Sequence, residues 1–238
     1  MTLEDPKPES PVNPIAFIVV LTSLAMLGIE VAFSLADRQI ISSNSAVRWR
    51  LDAYNAFAFD PGTLERIFVR KDYALSAIWT FFTYPFINQG MAPALFASAL
   101  ILALGKFVSE FYGALQFACI FVLTAVVGAV AYALVFPKGL ALLGAYPPVF
   151  GLIGAYTYVL WMRLGKAGSN QLLAFRLIGV LIAIQLIFTV VIVVMGQASN
   201  GWPTWVAEVG AFVAGFSVSV LLAPGGWTSF VARMRQRP

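Results

Sequence analysis

Few side chains in this sequence could do chemistry, and they lie far apart. Its apolar stretches hold two carboxylates, Glu30 and Glu208, a third at the edge of a stretch, Glu110, the thiol of Cys119 and the phenol of Tyr146. The chain has no histidine. That excludes serine–histidine and cysteine–histidine nucleophilic mechanisms and histidine-based zinc sites. Paired carboxylates could run aspartyl-type hydrolysis, but nothing in the spacing brings two of the three together. A single cysteine closes no intramolecular disulfide and anchors no metal site, so Cys119 is expected to be a small buried hydrophobe. No cofactor is expected.

The elements that must position these groups are apolar helices. The chain of 238 residues is 60% hydrophobic and 11% charged, with a mean hydropathy of +0.85, whereas soluble domains carry roughly 25% charged residues. The apolar residues fall in blocks of about 18–24, the length that crosses a ~30 Å hydrocarbon core at ~1.5 Å per residue. They lack the alternation of a membrane barrel. The expectation is an all-α, polytopic membrane protein whose first partner is the lipid bilayer. A net charge of +4 reads as a topology signal in the loops and gives no nucleic-acid surface.

In chain order, residues 1–13 read as a disordered tail, too acidic for a signal peptide. Spans are expected at 14–36, 91–109, 114–136, 148–162, 172–195 and 204–223, with a long loop over 37–90 and a basic tail over 224–238 carrying Arg233, Arg235 and Arg237. Glu30 in the first span is expected to face the bundle or the interface, with no partner charge close in sequence. In the loop, Arg48-Trp49-Arg50-Leu51 opens an amphipathic helix, and Asp60-Pro61-Gly62 is a turn before a second over Thr63–Val69. Glu110-Phe111-Tyr112-Gly113 is a tight turn between antiparallel spans. The fourth span is short, about fifteen residues by its apolar content, and so must start inside the membrane. Six spans put both termini on one side. Arg163, Lys166 and the basic tail make that side cytoplasmic, as in a bacterial inner membrane.

Between the third and fifth blocks stands Gly144-Ala145-Tyr146-Pro147-Pro148-Val149-Phe150-Gly151-Leu152-Ile153-Gly154. It resembles the active-site segment of the rhomboid intramembrane serine proteases, Gly-x-Ser-Gly followed by glycines at helical spacing. The resemblance extends from about Thr80 to Ala223. Phe82 to Gly90 (FTYPFINQG) is similar to a family pattern with histidines where Tyr84 and Asn88 stand. The His-x-x-x-Asn pair that helps bind the family's oxyanion aligns with Pro93 and Ala97. Glu110 and Gly113 match the turn after that span. The sixth span normally reads Ala-His-x-x-Gly-x-x-x-Gly; here it is Ala207 to Gly215 (AEVGAFVAG), with Glu208 in place of the base histidine and Ala211 in place of a glycine.

The resemblance implies a six-helix rhomboid-like bundle with degenerate catalytic positions: Tyr146 for the serine, Pro147 for the next glycine, and Glu208, Pro93 and Ala97. Gly144, Gly151, Gly154, Ala211 and Gly215 are the implied helix-packing positions, and Glu110 and Gly113 the structural turn. A phenol with an ordinary pKa of about 10 is a poor acyl-transfer nucleophile, and Pro147 has no N–H to donate. The implied function is a pseudoprotease that binds transmembrane helices of other membrane proteins, with Ser98 and Gln185 either polar contacts beside a groove between the second and fifth spans or, the reading favoured, internal helix–helix hydrogen-bonding groups. Alternatives are an accessory subunit of a larger membrane complex, an active peptidase, and a transporter. The last is disfavoured by few intramembrane charges and no inverted repeat. Tyr146 and Glu208 are expected to hydrogen-bond across the old site.

Overall fold

The computed structural model describes residues 15–38, 40, 48–71, 73–176, 178–183 and 204–223. Among them the fold is all-helical, without strands. α1 is Phe17–Asp37, and three short helices follow in the long connection: α2, Trp49–Phe57; α3, Thr63–Phe68; and α4, Leu75–Thr83. A 3-10 turn over Tyr84–Phe86 leads to α5, Met91–Tyr112, then α6, Ala114–Val135, and α7, Tyr146–Lys166. After a second 3-10 turn over Gln171–Phe175 the last described helix is α8, Trp205–Leu222.

Four of these, α1, α5, α6 and α8, are long and apolar enough to cross a membrane. Together with their composition they make this an integral membrane protein. Bulky side chains such as Leu21, Leu24, Phe96, Val122, Leu134 and Val213 lie on outer faces, where lipid supplies the contacts that a soluble protein would find inside. Most of the expected fifth span, Gln185 included, and both tails lie outside the described residues.

α7 is the axis of the bundle. It packs on α5, on α6 and most extensively on α8, while α1 lies against α5. Every residue from Pro147 to Ala155 is buried. α7 also corrects the expected short fourth span over 148–162: the helix starts two residues earlier and runs to Lys166. Its prolines do not delay it, because Pro147 and Pro148 occupy the first turn, whose N–H groups have no helical acceptor. It continues past Met162 because Arg163 and Lys166 sit in the last turn, where cations complement the helix dipole.

Three smaller expectations are also corrected. The loop expected over 37–90 contains, besides the two short helices read from the sequence, a third, α4, packed on α6. The α5–α6 turn is tighter than expected. Glu110, Phe111 and Tyr112 remain helical, and Gly113 alone links the two helices at φ +107°, a conformation that L side chains rarely adopt. Cys119 is exposed. α6 is apolar all round, so its sequence did not distinguish the face carrying Phe117, Ile120, Phe121 and Thr124, which is buried, from the outer one beside Val122 and Leu123.

Candidate functional site

The loop before α7 and the first turns of α5, α7 and α8 converge on one cavity of about 240 Å³, lined by Asn88, Gln89, Pro93, Leu143, Gly144, Tyr146, Thr204 and Glu208. Gly144 turns the chain into α7 at φ +93°, and its N–H donates to the Tyr84 carbonyl at 3.1 Å. Glu208 lies in the first turn of α8 and is 5% exposed. Gln89 and Thr204 are exposed and form the cavity's outer edge.

Five positions singled out in the sequence therefore share a wall: Asn88, Pro93, Gly144, Tyr146 and Glu208. The others lie elsewhere. Ala97 is fully buried in the core. Pro147 sits where α7 meets α6: a Cβ added to Gly128 would fall 3.0 Å from Pro147 Cβ, 2.8 Å from the Ala207 carbonyl and 3.4 Å from Ala211 Cβ. Gly151, Gly154 and Gly215 mark seams of close approach. A Cβ on Gly151 would collide with the Thr124 side chain, on Gly154 with the backbone of Phe212, and on Gly215 with the backbone of Gly151. Glu110 lies at the far end of α5 from Pro93, about 25 Å away at the helical rise, with Lys106 Nζ 3.9 Å from its carboxylate.

Ser98 is 2% exposed, and its carbonyl accepts from the Ser23 hydroxyl of α1 at 3.5 Å, which places it at an internal contact between α1 and α5. Tyr84 is buried, and its hydroxyl donates to the Ala125 carbonyl at 2.9 Å.

A partly buried ionic cluster beside the cavity escaped the sequence reading. Glu30 is 0% exposed and accepts from Arg50 Nη2 at 2.8 Å and Nη1 at 3.3 Å. Arg50 Nε donates to Asp37 at 2.8 Å, and the guanidinium lies over the Phe33 ring, 5.2 Å from its centroid. Burial opposes the Arg50 charge, but hydrogen bonding with Glu30, Tyr54 and Asp37 outweighs it and holds its pKa above the ordinary range. Arg50 Nη1 also donates to the Asn88 carbonyl at 3.3 Å, as does the Tyr54 hydroxyl at 3.0 Å. The signal that could have found this cluster was a lone acid in an apolar span, which requires a partner; the partner was twenty residues away in the loop.

The rhomboid domain profile matches residues 75–225, well over half of the chain. The chain belongs to the rhomboid family. The match begins at α4, so this rhomboid's cavity lies wholly inside the family domain, while α1, α2 and the Glu30–Arg50 cluster precede it. No curated protein matches the chain.

Proposed function

We propose that this rhomboid is a pseudoprotease, a scaffold that binds transmembrane segments of other membrane proteins without cutting them. One observation carries the reading: a single cavity is lined by Tyr146, Glu208 and Pro93, the positions where the resemblance to active rhomboids expects serine and histidines. Family proteolysis needs an activated hydroxyl, a base and oxyanion donors. Tyr146 is a poor nucleophile, Pro147 has no N–H and Ala97 no polar group. In this reading the Tyr146 hydroxyl donates to Glu208 and ties α7 to α8. Tyr146→Phe should then lower stability by about 1 kcal/mol, the worth of an ordinary hydrogen bond. An unchanged thermal midpoint for that variant would remove the bond from the proposal.

The same reading has six spans, with the described α7 and the segment 172–195 completing the set, and both termini on the cytoplasmic side of a bacterial inner membrane. The test has two arms. A serine-directed fluorophosphonate probe should leave the protein unlabelled. Photocrosslinking from position 185, followed by purification in mild detergent, should yield a spread of substoichiometric membrane proteins. Serine-dependent labelling would overturn the pseudoprotease reading, and a single stoichiometric partner would replace client binding with a subunit role.

A further inference from the structure

Asn88 is 1% exposed, lines the cavity, and has no hydrogen-bond partner for Nδ2 or Oδ1 among the described residues. A buried amide left this way is costly, roughly 1–3 kcal/mol for each unsatisfied group. Asn88 is not loosely placed: its carbonyl is held from behind by Arg50 and Tyr54. The backbone is clamped while the amide is unpaired among the described residues, its Oδ1 3.5 Å from where a Cβ on Gly144 of the cavity wall would stand. The other residues of the wall, Tyr146, Thr204, Gln89 and Glu208, carry two hydroxyls, an amide and a carboxyl.

These groups select a ligand class. An anion would meet the Glu208 carboxyl, and no Lys or Arg lines the cavity among the described residues. An ammonium could donate to Oδ1 but could not accept from Nδ2. A vicinal pair of hydroxyls satisfies both, one donating to Oδ1 and the other accepting from Nδ2–H, with donors and acceptors left over for Tyr146, Thr204 and Glu208. A cavity of about 240 Å³ corresponds to roughly eight waters at ~30 Å³ each, room for a triol up to a monosaccharide. We infer that the cavity beside Asn88 is a binding site for a small neutral polyol, whether free or as a lipid headgroup. This goes beyond client binding and does not depend on it.

The test uses the full chain in phosphatidylcholine nanodiscs, with glycerol and glucose as probes read by saturation-transfer NMR. A second arm measures retention of the neutral glycolipid monoglucosyldiacylglycerol from mixed nanodiscs by native mass spectrometry. Saturable transfer in the first arm identifies a free polyol, and selective glycolipid retention in the second a headgroup. Asn88→Leu, similar in shape, should weaken whichever binds by about tenfold or more, since two hydrogen bonds are lost. It should leave the fold intact or more stable, because two unpaired polar groups are removed. Thr204→Trp at the outer edge should also block binding, and it serves should Asn88→Leu fail to fold. The inference is overturned if neither arm distinguishes the wild-type chain from both variants, or if ethylammonium or acetamide displaces the polyols.

Discussion

At the scale of single residues, the pseudoprotease proposal treats Tyr146 and Pro147 together. On that proposal a serine at 146 alone would lack a base, and serine with histidine at 208 would still find no oxyanion donor at Pro147, Pro93 or Ala97, each such donor being worth about 10²–10³ in turnover. The Tyr146→Ser/Glu208→His double variant is therefore expected to show no cleavage of a transmembrane reporter above background; measurable turnover would contradict the assignment of these positions. Glu30 and Arg50 are a structural matter. Arg50→Met strands a carboxylate that is 0% exposed and should lower stability by about 3–5 kcal/mol, whereas replacing both partners together, Glu30→Leu with Arg50→Met, should recover much of that loss. Denaturation in mild detergent compares the two. The pair was illegible in the sequence because Glu30 announces only that it needs a partner, and the loop offers several arginines without choosing one.

At the scale of elements, the seams of α7 decide how close the helices come. Gly215→Ala would push a methyl into the backbone of Gly151, and overpacking of this kind costs about 1–3 kcal/mol. Gly28→Ala in α1, with nothing within 4 Å of the new methyl, should be neutral or stabilising by about 0.5–1 kcal/mol. If both substitutions have the same effect on the thermal midpoint, backbone contact is not what Gly215 provides. Much of the element plan could be read from the chain: α1, α5, α6 and α8 fall on the blocks where apolar residues outnumber everything else, since lipid demands just that. α7 could be located but not measured. Its two prolines look like a loop unless placed in a first turn, and its basic end looks like solvent until the dipole is considered. The cavity was legible only as separate positions, since that Asn88 and Tyr146 share a wall follows from the Gly144 turn and not from either residue type.

At the scale of the whole molecule, the membrane is part of the fold. Cys119 is the only cysteine and points outward, so a nitroxide placed there should collide with oxygen, which concentrates in lipid, far more often than with a polar nickel chelate. The reverse order would turn the outer face of α6 towards water or another chain. With Cys119 replaced by serine, cysteines introduced at positions 167 and 235 should react with an impermeant maleimide from one side of the bilayer, and a cysteine at position 62 from the other. A split between 167 and 235 would refute six spans. One buried feature, between residues 0% and 1% exposed, couples the long connection after α1 to α7. Phe59 and Leu142 exchange two backbone hydrogen bonds, Phe59 N–H to Leu142 O at 3.1 Å and Leu142 N–H to Phe59 O at 2.8 Å. The α2–α3 connection and the approach to α7 are thereby stitched at one point, two residues before Gly144. Neither strand of the stitch can lift alone without breaking both bonds. These two amides should thus exchange with deuterium as a unit, at one shared rate, and access to the cavity through that side should follow the same clock.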